Sequence, residues 1–522
     1  MLMTIVSTLT KTRLLFSALF LKLLFEISID DYDYFWHLKT GEYIVLQRAL
    51  PVGDIFSSTH LGQPWVLHEW LFEVVLYLMF AWLGTFGVKL LTVAIGVFTL
   101  GLLFVLIQRI TRSLSMALAL LLLLLVPFYG GLSPRPQLVT YFCFCFFLFV
   151  LVSYKYFGAR VSLWLMPLLM VVWVNSHGGY VIGITLLGLF SICEWAGYWF
   201  NLRRQASQKK HLVRLTQVTC ATVAASLINP SIFERWLYPF QVLGMAANEY
   251  IAEWQSPNFH ELGGKLYLLL VILFLLSYVY VKRKPDLTEV VVPTFFLATG
   301  FLAVRHIPLA VLAIAPFFAL SLRRCEVRPL TNSLRGTYLA KTYKRLIDSG
   351  PELGKKEFFL NWTLLASLGI TLSVYAPTFQ AKNDEKLNNK LPVNAASFVL
   401  ANEISGNLFN TYEYGGYLIY RFWPDRKVFI DGRADMYGDK FVTDYIQIHD
   451  GKANWKNKFR ALSIDYAIVG VDAPIRQLLR EDASFVEVYS DPHHSVLLRK
   501  SEKYKTLLDR LQKQNGFKPL RP

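Results

Sequence analysis

Asp30, Asp31 and Asp33, with His37 four residues after Asp33, place three carboxylates and an imidazole within eight residues. Two carboxylates one residue apart have two chemical uses: they can hold a cation jointly, or one can act as a base while the other tunes it. On a helix, His37 would fall one turn after Asp33, on the face from which it could orient that carboxylate. A solvated loop beside a membrane stays open as the plain alternative, because an Asp-x-Asp pair is weakly specific. A second polar group, His68-Glu69-Trp70, follows Pro64-Trp65.

The elements that must position these residues are membrane spans. The chain has 522 residues, of which 54% are hydrophobic and 15% aromatic, and several apolar runs reach the length that crosses a bilayer. This composition is that of a polytopic membrane protein surrounded by lipid. The net charge of +16 sits in basic clusters between apolar runs, as in cytoplasmic loops, which excludes nucleic acid as a partner. Lys11 and Arg13 place the N-terminus in the cytoplasm, and no small-residue cleavage site follows, so the first span reads as uncleaved. Cys143, Cys145, Cys193 and Cys220 lie in apolar runs and Cys325 in a basic loop, with neither disulfide nor metal-ligand spacing.

Charge then orders the topology. A first span near 14–29 leads to an external loop at 30–87. Within it, residues 67–83 are apolar but short and acidic at their start, which reads as a juxtamembrane helix rather than a span. That choice lets a span at 88–107 end inside at Arg109 and Arg112. Further spans near 114–130, 138–154, 161–176, 179–200, 212–228, 265–281, 287–303, 307–322 and 358–376 bring the total to about eleven. Every strongly basic loop, such as Arg203 to Arg214, then lies inside. The chain divides into a membrane domain at 1–377 and an external, periplasmic domain at 378–522. The external domain reads as α/β, with strands at 428–430, 466–469, 485–489 and 495–498 and helices near 394–404, 438–449 and 472–480.

The unusual polar residues of the membrane domain emerge on the external side: Arg135, Asn175-Ser176-His177, Glu253-Trp254 and Arg305-His306. Arg135 and Arg305 either snorkel as interfacial anchors or meet a lipid phosphate. His177 is either a packing histidine or part of a site. Trp65, Trp70 and Trp254 form an aromatic belt or stack on sugar rings, and Asn175 and Asn229 read as helix caps.

This pattern resembles the GT-C glycosyltransferase superfamily, which includes protein O-mannosyltransferases, lipid A aminoarabinose transferases and the oligosaccharyltransferase catalytic subunit. The resemblance rests on a cytoplasmic N-terminus, a first external loop with paired acids and juxtamembrane helices, many spans and an external C-terminal domain. At residue level, Asp31-x-Asp33-x-x-Trp36-His37-Leu38-x-Thr40-Gly41-Glu42, Pro51-x-x-Asp54-x-Phe56-Ser57 and Trp65-x-x-x-Glu69-Trp70 are similar to a group of bacterial membrane proteins placed in that superfamily. The segment Tyr412-Glu413-Tyr414-Gly415-Gly416, followed by Asp431-Gly432, resembles the oligosaccharyltransferase acceptor motif, with Tyr412 in place of its tryptophan and Glu413 in place of its aspartate.

The resemblance implies a glycosyltransferase of the bacterial inner membrane. It would move a sugar from a polyprenyl-phosphate-linked donor to a glycan, lipid or protein acceptor on the external face. Asp33 is the expected base, with Asp31 second, and His37, Glu69 and His177 in support. Arg135, Arg305 and His306 would meet the donor phosphate, and Tyr412, Glu413, Asp431 and Arg433 the acceptor. Asp31 and Asp33 could instead hold a divalent cation such as Mg or Mn, since the family has metal-using and metal-free members. For the acceptor residues, a strand-turn at Gly415-Gly416 and an Asp431–Arg433 ion pair that only fixes the turn remain alternatives. A surface-glycan ligase or polymerase would share the donor chemistry. A transporter would carry its charges mid-bilayer within inverted repeats, and none is visible; a non-catalytic envelope protein is the remaining class.

Overall fold

The computed structural model describes residues 19–20, 22–24, 26–158, 162–200, 206–279, 281, 283–325, 383–452 and 454–515. In chain order its helices are α1 (Tyr34–Gln47), α2 (Trp70–Thr111), α3 (Leu114–Tyr129), α4 (Gln137–Phe157), α5 (Leu165–Val174), α6 (Tyr180–Trp199) and α7 (Ala206–Ala225). Then come α8 (Ile232–Leu243), α9 (Leu262–Val279), α10 (Leu287–Leu302), α11 (Ile307–Arg324) and α12 (Val393–Ala401). The C-terminal part adds β1 (Leu408–Asn410), α13 (Gly415–Phe422), α14 (Ala434–His449), α15 (Trp455–Ala461), β2 (Tyr466–Gly470), α16 (Pro474–Glu481), β3 (Phe485–Ser490), β4 (His494–Arg499) and α17 (Lys505–Asn515).

The chain forms two compact units: residues 1–27, 89–239 and 248–375, and residues 28–88, 240–247 and 376–522. In the first, α11 is buried along its length among α3, α4, α9 and α10. Its sequence explains this: it is apolar on every face, and its alanines let neighbouring helices approach closely. Among the described residues, five helices are long and apolar enough to cross a membrane, and the apolar helices α5 and α10 are shorter. The expected spans from 88–107 to 307–322 each fall on a described helix. The span near 358–376, and most of the span near 14–29, lie outside the described residues.

In the second unit, the sheet has the order β1-β2-β4-β3, with β1 parallel to β2 and the other pairs antiparallel. Three expected strands and all three expected helices are present. The expected strand at 428–430 is not in the sheet. Val428 exchanges backbone hydrogen bonds with Phe56 and Ser58, and Phe429 N–H donates to the Asn410 side chain, so its polar groups are satisfied by a loop instead of a ladder. The expected turn at Gly415-Gly416 is the start of helix α13. A Cβ on Gly415 would stand 2.2 Å from the Ile430 carbonyl oxygen, and one on Gly416 2.5 Å from that of Tyr32, so both glycines serve close backbone approach. Gly84 breaks α2 with a left-handed φ of 61°. The piece before it, 70–83, is about 21 Å long at 1.5 Å per residue, short of a bilayer core of about 30 Å.

Candidate functional site

In the second unit, Asp33 is the N-cap of α1 and its carboxylate lies half-buried at the helix start. Asp31 turns back to accept the Asp33 backbone N–H at 2.9 Å. The Trp36 indole N–H donates to Asp33 Oδ1 at 3.3 Å. Gly432 packs so tightly on this carboxylate that a Cβ there would stand 1.9 Å from Asp33 Oδ1. Gly432 is thus a glycine because of what it touches. The Tyr412 hydroxyl donates to the Gly432 carbonyl at 3.0 Å. Burial, and then the Asp33 charge, push its phenol well above the ordinary range, so it stays protonated as a donor. The segment with the paired acids and the segment with Tyr412 therefore meet at Asp33, Gly432 and Tyr412, while Glu413 beside them is exposed.

Asp431 and Arg433 lie deeper. Arg433 donates twice to Asp431, at 2.7 and 2.6 Å, and its third nitrogen is 2.9 Å from Asp54 Oδ1. The Tyr437 hydroxyl adds a bond of 2.7 Å to Asp431, and Asp54 accepts from Phe56 N, Ser57 N and Ser57 Oγ. The guanidinium lies 4.5 Å from the centre of a Trp65 ring, a cation–π distance. The Arg433 and Asp431 side chains are 1% and 0% exposed. Burial opposes the charge, but the Asp431 carboxylate holds the guanidinium well above its ordinary pKa. Asp431 and Arg433 thus fix the segment that carries Gly432, and their own polar atoms are turned inward.

His37, expected beside Asp33, has its Nδ1 3.0 Å from Glu73 Oε1 and 3.6 Å from Glu69 Oε2. The three residues form a buried group whose ligand atoms lie within 4.8 Å of one another. Among the described residues it is the one such group of His, Cys, Asp and Glu, and it excludes Asp31 and Asp33. Asp31 Oδ1 accepts a backbone N–H and Asp33 Oδ1 an indole N–H.

In the first unit, Arg135 pairs with Glu253 at 2.8 Å. The next residue, Trp254, carries the Arg305 guanidinium 4.4 Å from its ring centre and the His306 ring at 6.0 Å. His306 Nδ1 donates to the Thr299 carbonyl at 3.3 Å. Arg135, Arg305 and His306 are thereby gathered around one Glu-Trp pair, and Arg305 makes no ion pair among the described residues. His177 Nδ1 accepts from the Gly179 N–H, which fixes the Thr140 hydroxyl as a second donor to that nitrogen and puts the neutral ring's proton on Nε2. Thr140 itself accepts from the Trp173 indole. Asn175 caps α5 by donating to Val171, and it also donates to Ile228. Asn229 donates to the Ser226 carbonyl.

No protein-family model and no curated protein matches the chain by sequence. Solved structures match in fold. The archaeal oligosaccharyltransferase AglB from Archaeoglobus fulgidus, in complex with an inhibitory peptide and a dolichol-phosphate, aligns with TM-score 0.55 at 10% identity, over 94% of this chain and 74% of that one. The apo form of the Archaeoglobus fulgidus oligosaccharyltransferase aligns with TM-score 0.53 at 10% identity, over 88% and 69%. ArnT from Cupriavidus metallidurans in the apo state aligns with TM-score 0.50 at 14% identity, over 92% and 97%. AglB and ArnT are both GT-C superfamily members. The fold of this chain is the GT-C fold.

Within this GT-C fold, residues that sequence alone left without a role are Asp54, Glu73, Thr140 and Tyr437. The Asp-x-Phe-Ser spacing at 54–57 carried a signal for the first, since an Asp before two backbone N–H groups reads as a side-chain-capped turn. Glu73 lies four residues after Glu69, on the same face at the start of a helix, which marks a paired-carboxylate face.

Proposed function

We propose that the protein transfers a sugar from a polyprenyl-phosphate-linked donor to an acceptor on the external face of the membrane. The observation that carries this is the cationic group of the helical unit, Arg135, Arg305 and His306 around Glu253-Trp254. A guanidinium held over an indole, with no carboxylate partner among the described residues, suits a phosphate. The GT-C fold supports the same chemistry, since AglB in that fold was solved with a dolichol-phosphate.

In this reaction Asp33 takes the proton of the acceptor nucleophile as that oxygen bonds to the anomeric carbon. The bond from that carbon to the phosphate oxygen breaks, and the polyprenyl phosphate leaves with its electron pair. Arg135, Arg305 and His306 stabilise the charge that develops on it. Trp36 and Gly432 fix the Asp33 carboxylate, and Tyr412 holds Gly432 in place.

A transfer assay with the purified full-length protein, labelled polyprenyl-phosphate sugars and envelope extracts tests this. Transfer is expected with the native chain. Asp33→Asn should lower its rate by roughly 10²–10⁴, and Arg305→Ala should raise KM for the donor. Full activity of Asp33→Asn would overturn the base assignment. Unchanged lipid-linked sugars and envelope glycans in a strain lacking the protein, read by mass spectrometry, would overturn the function.

A further inference from the structure

The His37–Glu69–Glu73 group has a geometry that hydrogen bonding alone leaves incomplete. All three residues are buried, with 3%, 7% and 0% of their surface exposed. Glu73 Oε1 faces His37 Nδ1, but Glu73 Oε2 is buried with no hydrogen-bond partner. A buried carboxylate oxygen without a partner is costly, and two neighbouring buried carboxylates raise the cost further. The Arg433 guanidinium of the same unit is already committed to Asp431 and Asp54.

We infer that His37, Glu69 and Glu73 bind one divalent transition-metal cation of the zinc type. A tetrahedral ion with bonds of about 2.0–2.1 Å holds neighbouring ligand atoms about 3.3 Å apart. The two separations at His37 Nδ1, 3.0 and 3.6 Å, bracket that value. A neutral imidazole and two carboxylates carry two negative charges, which a divalent ion cancels within the buried site. One nitrogen and two oxygen donors suit zinc, cobalt or manganese better than calcium or magnesium, which prefer all-oxygen shells. Glu69 and Glu73 are four residues apart on a helical turn closed by the Glu73 N–H to the Glu69 carbonyl, so their side chains share a face. His68 Nε2 lies 3.3 Å from Glu69 Oε1 and leaves Oε2 turned toward His37.

The backbone is built for this approach. At Gly41, one turn after His37, a Cβ would stand 2.0 Å from the Glu73 carbonyl oxygen, so only glycine allows α1 and the start of α2 to come this close. The ion would clamp the two helices. Since Asp33 begins α1 and His37 N–H bonds its carbonyl at 3.4 Å, the clamp also positions Asp33. Metal binding at this group is independent of the proposed transfer, because it is read on protein without substrate.

The test uses the full-length protein in detergent, stripped with a chelator, reloaded with zinc or cobalt and desalted. One equivalent of metal by elemental mass spectrometry is expected, with a visible cobalt spectrum and a melting temperature that falls on chelation and recovers with zinc. Glu73→Gln and His37→Ala should each weaken binding at least tenfold, on the scale that loss of a ligand or its support produces. Asp31→Asn should keep the equivalent, which separates this site from a cation held by the paired acids. Less than about a tenth of an equivalent in the native chain after loading would overturn the proposal, whether or not the variants fold. So would undiminished binding by Glu73→Gln, or loss of metal in Asp31→Asn alone.

Discussion

The second unit holds two buried clusters of carboxylates that are built in opposite ways. Around Arg433, both Asp431 oxygens and both Asp54 oxygens meet N–H, hydroxyl or guanidinium groups. Around His37, one carboxylate oxygen of a fully buried glutamate meets none. Both carry carboxylates out of water, where each charge costs several kcal/mol unless it is paired and hydrogen-bonded. The first cluster satisfies that condition at all four carboxylate oxygens with protein atoms, while Arg433 Nη1, 2.9 Å from Asp54 Oδ1, is held by the ion pair without a hydrogen bond. The second leaves one carboxylate oxygen outside any hydrogen bond, and burial raises the Glu73 pKa well above the ordinary range. A saturated ionic group is a fastening for the chain, and an unsaturated one at equal burial is a place for a ligand.

The largest expected effect breaks the saturated cluster. Arg433→Ala leaves Asp431 and Asp54 buried without their cation, a change that costs about 3–5 kcal/mol. The variant should melt far below the native protein or fail to accumulate in the membrane, read by thermal unfolding in detergent and by yield. Arg433→Lys should recover only part of this, because an ammonium cannot donate twice in a plane to Asp431. A melting temperature within a degree or two of native for Arg433→Ala, with impaired substrate use, would assign Arg433 to substrate instead.

A smaller effect separates position from stability. In Gly432→Ala the new Cβ would stand 1.9 Å from Asp33 Oδ1 and 3.3 Å from the Trp36 indole nitrogen. The Asp33 side chain can swing away at modest cost in stability, but the base then moves by about an ångström, which can cost roughly 10²-fold in rate. Transfer should fall by that order in kcat, with KM for the donor and the melting temperature little changed. Unchanged kcat would mean that the Asp33 carboxylate is not held where it reacts.

These two positions also show what the sequence disclosed. The apolar runs marked the described helices of the first unit, because length and composition decide that matter locally. The strands at 466–469, 485–489 and 495–498 were legible from alternation within a few residues. Val428 to Ile430 had the same apolar character, yet pairs with a loop some 370 residues earlier in the chain, and no local pattern carries that. Asp33 stood out by type and spacing. Arg433 and His37 stood out as well, but two of their partners, Asp54 and Glu73, did not, since the fold brings them there. A charged residue shows in a sequence; whether its charge is already satisfied is a property of the packed chain.

The smallest effect tests saturation where water can help. Asp482 Oδ1 accepts the Ser484 hydroxyl at 2.7 Å and the Ser484 N–H at 3.0 Å, closing the turn that leads into β3. The Ser484 hydroxyl lowers its pKa first; burial raises it, and the Ser484 N–H, Lys456 and Arg460 add to the lowering, for a net value below the ordinary one. A carboxyl whose pKa is depressed on folding binds fewer protons in the folded chain than in the unfolded chain. Its contribution is therefore complete above its unfolded pKa of about 3.9 and is lost as pH falls through its lower folded value. Water and two neighbouring cations share the load here, and a half-exposed hydrogen bond of this kind contributes about 1 kcal/mol. Asp482→Asn should lower stability by about that much or less at pH 7, and it should flatten the acid limb of the melting curve below pH about 4. Arg433→Ala, by contrast, should remain destabilising at every pH where its two partner carboxylates are ionised. Equal losses at pH 7 in the two variants would remove the distinction between a buried saturated cluster and a solvent-assisted one.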